Sequence, residues 1–271
     1  MADAGLTRPQ DAGALLRAWR SRRRLSQLAL ALDAGVSARH LSFVETGRSR
    51  PSAELLLTLA DRLDMPLRSR NELLHAGGFA PRFAETGLSS PELANVRGAL
   101  QRLLDTHDPW PGVALDRQWN VVLANATALR MSAVLPQFLR EPQLNMFRAS
   151  LHPQGFAAFT RNFDEWGSYL LGELQRLADA DANAAALLEE VGSYPNVRAL
   201  RARPAARAQA ASTLLVPCEL EFNGKRLSLF TTLALFGSPR DVTLAELTVE
   251  LFYPADEPTA AALRRDAGKP D

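Results

Sequence analysis

The sequence predicts two domains of different fold class: an all-α domain in the first eighty residues and an α+β domain in the rest. Up to about residue 80, apolar residues recur at helical spacing between short turns. From residue 112 onward, several segments alternate apolar and polar residues, which is typical of half-buried strands. The length of 271 residues is enough for two modest domains, each with its own core.

Five short helices are predicted in the first domain. Ser26 and Ser37 are good N-caps for the second and third helices, and Gly35 can adopt the left-handed conformation that separates them. Leu28, Ala29, Ala31 and Leu32 give the second helix small or apolar positions for close helix crossing. The predicted helices cover about 13–24, Gln27–Asp33, 38 to 45 or 46, 53 to about 63, and 67 to about 74.

The second and third helices have the spacing of a helix-turn-helix motif, with a seven-residue helix, a three-residue turn containing Gly, and a capped helix. Such a motif places its second helix in the major groove of double-stranded DNA. Arg39 suits the O6/N7 pair of guanine, and Phe43 suits a thymine methyl group. The predicted DNA-binding residues are Gln27, Ser37, Ala38, Arg39, His40, Ser42, Phe43, Arg48 and Arg50. A helical bundle that binds protein is the alternative.

The distribution of charge supports an anionic partner for the first domain. Residues 1–84 contain thirteen Arg and eight Asp or Glu, a net charge of +5, whereas residues 85–271 have a net charge of −4. A basic domain of this kind favours nucleic acid. The alternative is a solvated Arg-rich face, which charge alone does not distinguish.

The helix-turn-helix region resembles the Xre/Cro/C1 family of repressors. The residues that carry the resemblance are Ser26-Gln27-Leu28-Ala29, Gly35-Val36-Ser37, Leu41-Ser42, Val44-Glu45-Thr46-Gly47-Arg48 and Pro51-Ser52. The run 36–52 is similar to the MmyB-like branch, whose members carry a PAS-like ligand-binding domain after the helix-turn-helix. The resemblance implies that Gln27 contacts phosphate, that Arg39 and Phe43 contact bases, and that Arg20 and Glu45 form an ion pair that braces the motif. Ala38 stands where some relatives have a long polar residue.

The second domain combines helices with antiparallel strands. A Gly-, Pro- and Ser-rich composition predicts a linker at 81–91, so that the domains cover 12–80 and 92–256, with a tail at 257–271. A helix begins at Ser90-Pro91, and Asn223-Gly224 predicts a tight hairpin. The further predicted elements are a strand pair at 112–116 and 119–124, helices at 126–133, 156–177 and 180–191, and strands at 214–222, 227–236 and 247–251.

A PAS-like sensor domain is implied by resemblance to MmyB-like proteins. The similarity is carried by Pro111, Asp116-Arg117-Gln118-Trp119, Ala124-Asn125 and the end of the last strand. It implies a five-stranded sheet and a pocket for a small apolar or amphipathic ligand, with a fatty acid as one candidate. The candidate ligand-binding residues are Trp119, Arg148, Trp166, Tyr169 and Phe230. Core packing is the alternative for the aromatic residues, and contact with solvent is the alternative for Arg148.

The sequence predicts no catalytic, metal or cofactor site. The four histidines share no metal-ligand spacing, and Cys218 alternates with Val216 and Leu220 as a small core residue would. A self-cleaving Ser/Lys protease domain, found in some repressors, needs a desolvated lysine. The chain contains only Lys225, next to the predicted hairpin turn, and Lys269 in the tail. We therefore expect a binding protein and no enzyme.

The expected protein is a cytoplasmic homodimer that binds operator DNA. Neither an apolar run of about 18 residues nor a basic, apolar leader after Met1 is visible, so no membrane segment is predicted. The dimer is inferred from the symmetry of operators that such motifs bind. The alternative for the second domain is a ligand-free dimerisation or partner-binding module.

Overall fold

A computed structural model describes residues 11–179, 181–203 and 216–268 of the chain. Two compact units result: one contains residues up to Gly87 together with Ser238–Ala245, and the other contains Leu88–Gly237 and the residues from Glu246 onward. Three positions used in the sequence analysis, Ala180, Leu214 and Lys269, lie outside the described residues.

The first unit contains the five predicted helices. Their bounds are α1 Ala12–Arg22, α2 Gln27–Asp33, α3 Ala38–Glu45, α4 Ala53–Arg62 and α5 Leu67–Ala76. The hydroxyl oxygens of Ser26, Ser37 and Ser52 each accept a backbone N–H in the first turn of the following helix, at 3.0 to 3.2 Å. These caps satisfy donors that have no partner inside the helix, so the local sequence determines where each helix begins.

The core of the first unit contains only part of the apolar surface of α2. Leu30 and Ala31 are fully buried, whereas the side chains of Leu28 and Leu32 are 60% and 72% exposed. Of the four positions expected at a helix crossing, only Ala31 is therefore buried, and Leu28, Ala29 and Leu32 are exposed. Successive helical residues are about 100° apart, and Leu28 and Leu32, four residues apart, share the face opposite the core.

The first half of the predicted linker is attached to the helical unit. The side chain of Asn71 accepts the backbone N–H groups of Arg82 and Phe83 at 3.0 and 3.1 Å and donates to the Phe83 carbonyl at 2.7 Å. In the same unit, Thr86 N–H donates to Asp241 Oδ2 at 3.1 Å, and Val242 N–H donates to the Ala84 carbonyl at 2.8 Å. Residues 82–86 are thus held by specific hydrogen bonds to α5 and to the segment Ser238–Ala245.

The second unit is built on a five-stranded antiparallel sheet with the order β2-β1-β5-β4-β3, so the five-stranded sheet that the family resemblance implied is confirmed. The predicted strand pair at 112–124 and the hairpin at Asn223-Gly224 are confirmed, and both turn residues have the positive φ that a tight hairpin requires. The strands are β1 Gly112–Leu115, β2 Val121–Ala124, β3 Cys218–Phe222, β4 Lys225–Leu235 and β5 Thr248–Pro254.

Helices cover this sheet. The helices of the second unit are α6 Ala94–His107, α7 Ala126–Ser132, α8 Gln137–Arg140, α9 Met146–Leu151, α10 Phe163–Ala178, α11 Ala182–Gly192, α12 Pro195–Arg201 and α14 Glu257–Asp266, whereas α13 Val242–Glu246 lies mostly in the segment Ser238–Ala245 of the first unit. The long predicted helix at 156–177 starts later than expected, because residues 156–158 form a separate 3-10 turn. None of the helices in the described residues is long and apolar enough to span a membrane.

The segment 257–271, which the sequence analysis assigned to a tail, contains α14. Asp256 caps this helix by accepting the Thr259 N–H at 2.8 Å, and Ala262 and Leu263 are buried. The buried Thr259 hydroxyl accepts the backbone N–H of Ser228, at 2.9 Å. Residues 257–266 are therefore part of the second unit, and their short apolar stripe is stabilised by packing against β4 and β5.

Candidate functional sites: a nucleic-acid interface and an apolar cavity

Helix α3 presents the predicted base-contacting residues on an accessible surface. Arg39 is exposed and Phe43 is partly exposed. The guanidinium of Arg39 lies 5.4 Å from the centroid of the Phe43 ring, one helical turn further along. Arg48 and Arg50, directly after α3, are exposed. The structure therefore brings a forked cation, an aromatic face and two further cations to one helix and its C-terminal turn.

An ion pair implied by the family resemblance fixes α3 to α1. Arg20 donates from Nε and Nη2 to the two carboxylate oxygens of Glu45, at 2.6 and 2.8 Å. Glu45 is only 6% exposed. Burial alone would raise the pKa of the Glu45 carboxyl, but hydrogen bonds from Arg20 and Gln27 lower it below its usual value. The carboxylate is thus held in its charged form and orients the recognition helix.

Two of the predicted DNA-binding residues already have intramolecular partners. The Gln27 amide donates to Glu45 Oε2 at 2.8 Å, and the Ser37 hydroxyl accepts the His40 N–H at 3.1 Å. Both residues therefore stabilise the motif, and their contacts with DNA stay predictions. Ala38, His40 and Ser42 are partly exposed on α3.

The second unit contains a partly open apolar cavity of about 90 Å³ between the sheet and its helices. Its walls come from β1, β3, β4 and β5 on one side and from α7, α9 and α10 on the other. Aromatic and aliphatic side chains dominate the lining, including Val113, Met131, Phe147, Trp166, Leu220 and Phe252. A concave apolar site with few polar groups is typical of a small-molecule site.

Trp119 reaches the cavity from a constrained turn between β1 and β2. Its φ is +64°, which is uncommon for a bulky residue. Asp116 Oδ1 accepts the backbone N–H groups of Gln118 and Asn120 at 2.8 and 2.9 Å, and Asn145 donates to the Gln118 carbonyl at 2.7 Å. These hydrogen bonds hold the turn. The Trp119 ring packs against the ring of Phe147, with their centroids 4.9 Å apart.

Only two of the five predicted ligand-binding residues line this cavity, namely Trp119 and Trp166. Tyr169 packs behind Trp166, with ring centroids 5.2 Å apart. Phe230 lies opposite Tyr253 in the β4–β5 ladder, and the two rings stack with their centroids 5.4 Å apart. Because successive strand residues alternate between faces, Phe230 lies on the other face of the sheet from the cavity-lining Leu229.

Arg148 also lies away from the cavity lining. It donates from Nε and Nη2 to the two carboxylate oxygens of Glu190, both at 2.7 Å, and the Tyr194 hydroxyl donates to the same carboxylate at 2.9 Å. The pKa of Glu190 is lowered, chiefly by the hydrogen bonds from Arg148. A partner carboxylate from the protein itself thus replaces the anionic ligand that the sequence analysis considered for Arg148.

The sequence analysis missed Glu250, a carboxylate in the cavity wall. Glu246, Thr248 and Glu250 alternate in the sequence with Leu247, Val249 and Leu251, a pattern that predicts an exposed polar face, but Glu250 is only 7% exposed. Burial raises the pKa of Glu250 to about 7, and the Thr231 hydroxyl offsets part of that rise. The sequence carried no signal for this, because the central position of β5, which covers both faces of the strand, follows only from the order of the strands in the sheet.

The cysteine in the cavity wall behaves as predicted. Cys218 is buried, and burial raises the pKa of its thiol to about 12. A thiol with this pKa stays protonated and packs as a small hydrophobic residue. Among the described residues, no group of three or more His, Cys, Asp or Glu side chains is arranged to hold a metal ion.

A helix-turn-helix with an exposed basic recognition helix, followed by a PAS-like domain around an apolar cavity, defines the class of ligand-binding transcription regulators. Family models match both parts: the MmyB-like transcription regulator ligand binding domain over residues 96–265 and a helix-turn-helix domain over residues 11–73. The chain therefore belongs to the family of MmyB-like transcription regulators.

Comparison with individual proteins adds little. No match among curated proteins reaches significance. One solved structure that is similar to this chain is the PAS domain from Bordetella pertussis BvgS, at 15% identity and a TM-score of 0.27, covering 64% of this chain and 96% of that chain.

Proposed function

We propose that this protein is a sequence-specific DNA-binding regulator whose affinity for its operator changes when a small apolar molecule occupies the cavity of the second unit. The observation that carries the proposal is the pairing in one chain of an exposed, braced recognition helix with an apolar cavity. Both sites act by binding, and no step of this function requires catalysis.

The DNA-binding part of the proposal rests on α3. Its exposed Arg39 suits guanine in the major groove, and Arg48 and Arg50 suit the flanking phosphates. We expect a homodimer on DNA, with two recognition helices in successive major grooves about 34 Å apart. Selection from a random pool of double-stranded DNA should return a site with two symmetric half-sites. Enrichment of no sequence above the starting pool would contradict this part.

The ligand-binding part of the proposal rests on the cavity. Extraction of the purified protein with organic solvent, followed by mass spectrometry, should recover a small apolar or amphipathic molecule. Ala128→Leu adds a side chain at the cavity wall and should abolish its recovery, whereas Ala126→Leu, exposed on the same helix, should not. Equal recovery from both variants would show that the molecule binds elsewhere.

A second candidate function for this unit is a ligand-free dimerisation or partner-binding module. It is favoured by Leu233 and Leu235, exposed apolar residues at the end of β4. Substitution of both by Lys distinguishes the two functions. If the unit only dimerises, this change should alter the sedimentation coefficient and operator affinity, while Ala128→Leu should alter neither.

The chain offers a covalent route between the two functions. Residues Ser238–Ala245 connect β4 to β5 in the sequence, and they belong to the compact unit that contains the helix-turn-helix. Within that unit, Asp241 accepts the Thr86 N–H and caps α13 by accepting the Leu244 N–H, at 3.1 and 3.3 Å. A ligand that binds one arrangement of the sheet more tightly would therefore bias the connection between its strands.

A further inference from the structure

The lining of the cavity contains one carboxylate, to which a purely apolar ligand offers no hydrogen-bond donor. Glu250 extends from the central strand β5 into the cavity wall, where it is the only carboxylate among the described lining residues. No Lys, Arg or His is among those residues. The neighbouring hydroxyl of Thr231, on β4, is the hydrogen-bond donor to this carboxylate.

The cost of burying a carboxylate depends on the donors that surround it. A buried charge is normally paired, as Glu45 is paired with Arg20 in the first unit. A ligand with an ammonium or hydroxyl group could donate to Glu250 and remove part of this cost. At pH 8, above the pKa of Glu250, a ligand carboxylate in the same position would place two negative groups together in a cavity with apolar walls.

We propose, as an extension of the proposed ligand-binding function, that the cavity selects small apolar molecules with a hydrogen-bond donor head group, an amine or an alcohol, through Glu250. Carboxylates of equal length are selected against. The aromatic and aliphatic walls would contact the apolar body of the ligand, while Glu250 sets the direction of its head group. This assigns Glu250 as the specificity-determining residue of the cavity and disfavours a fatty-acid ligand.

The size of the cavity limits the length of the ligand. A buried water needs about 10–15 Å³ of cavity volume measured in this way, so roughly six to nine non-hydrogen atoms fit in about 90 Å³. A six-carbon chain with one head group matches this range. Hexylamine, 1-hexanol and hexanoate therefore form a series in which the apolar body is constant and only the head group changes.

The test measures the affinity of the full-length protein for these three compounds at pH 8, where the amine is protonated and hexanoate is ionised. Trp119 and Trp166 line the cavity, so their fluorescence reports occupancy, and calorimetry gives an independent value. We expect hexylamine and 1-hexanol to bind at least tenfold more tightly than hexanoate. In Glu250→Gln, the amine-to-hexanoate affinity ratio should fall at least tenfold.

A matched control is Glu221→Gln, which makes the same substitution at an exposed position of β3. It should keep the wild-type preference, and circular dichroism and thermal melting of both variants check that they fold. Tightest binding of hexanoate, or an unchanged preference in folded Glu250→Gln, would overturn this inference and leave the proposed ligand site intact. Binding of none of the three compounds would overturn the ligand site and the inference together.

Discussion

Each unit of this protein buries one glutamate, and the two differ in what surrounds them. Glu45, between α1 and α3, accepts hydrogen bonds from Arg20 and Gln27, and its pKa is lowered despite burial. Glu250, in the sheet of the second unit, faces a cavity without a cation in its described lining, and its pKa is raised to about 7. Their exposed fractions are almost the same, at 6% and 7%.

The difference teaches that burial alone does not define the role of an ionisable residue. A carboxylate with a bidentate guanidinium partner is a structural brace, since the protein itself supplies the opposite charge. A carboxylate at a cavity without such a partner raises the free energy of the empty state, and a bound donor can lower it. The DNA-binding unit therefore supplies the partner of its buried carboxylate itself, whereas in the second unit the proposed ligand would supply one.

Removal of the guanidinium beside Glu45 should have the largest effect. Arg20→Met leaves a buried carboxylate without its cation, so we expect the helical unit to lose about 3–5 kcal/mol of unfolding free energy. Urea unfolding at pH 7, followed by circular dichroism, measures the loss. Arg62→Met, at the exposed end of α4, is the control and should stay within about 0.5 kcal/mol of the wild type. A loss of less than 1 kcal/mol for Arg20→Met would contradict the role of the brace.

Neutralisation of Glu250 should raise the free energy of unfolding, in contrast to the loss at Arg20, and the gain should depend on pH. Its raised pKa means that the folded state keeps a proton that the unfolded state has released between about pH 4.5 and 7. The stability that this proton provides is full below pH 4.5 and is lost as the pH rises through 7. Glu250→Gln should therefore be more stable than the wild type at pH 8, by up to about 3 kcal/mol.

The same pH series also checks that Glu250 is the group whose titration changes the stability. The pKa values of Cys218 and Tyr169, the titratable neighbours, are both raised by burial, so these groups stay neutral across the window. The stability difference between Glu250→Gln and the wild type should thus decrease as the pH falls below 7 and level off below about 4.5. A difference that is constant from pH 4 to pH 8 would show that Glu250 has an ordinary pKa in the folded protein.

On the DNA-binding surface, individual side chains should have intermediate effects. Arg39→Ala should cost about 1–3 kcal/mol of operator binding and relax specificity at one base pair. Arg48→Ala should instead weaken binding to all sequences alike and reduce the slope of affinity against salt by about one. Fluorescence anisotropy with the selected operator and its single-base variants separates the two. If Arg39→Ala weakens every sequence equally, Arg39 contacts phosphate.

The smallest expected effect concerns the segment between β4 and β5. Asp241→Ala removes the acceptor for Thr86 N–H, and we expect it to reduce the coupling between hexylamine and operator binding by about 0.5–1 kcal/mol. Asp241→Asn keeps a carbonyl acceptor and should retain more of the coupling. The coupling free energy is measured as the difference in operator affinity with and without hexylamine. Full coupling in Asp241→Ala would show that the segment Ser238–Ala245 does not carry the coupling.

Much of the first unit could be predicted from the sequence because its signals are local. Three serine caps and Gly35, with φ of +69°, act within one turn of chain and set where the helices begin and end. The Arg20–Glu45 pair was implied by resemblance, and its geometry follows once α1 and α3 pack. The position of Leu28 and Leu32 was not predictable in this way, since five adjacent apolar residues do not specify which helix face is covered.

In the second unit, local sequence patterns predicted the strands, whereas the order of the strands and the surroundings of their side chains followed from the folded structure. Alternation and the Asn223-Gly224 turn were sufficient for the strands and hairpins, because these patterns depend on neighbours along the chain. The order of the strands decided that β5 is central and that Glu250 faces a cavity, and it placed Phe230 on the opposite face. Arg148 pairs with Glu190, which is 42 residues away in the sequence. Such pairings depend on contacts between distant segments, so the physical environment of these side chains exists only in the folded chain.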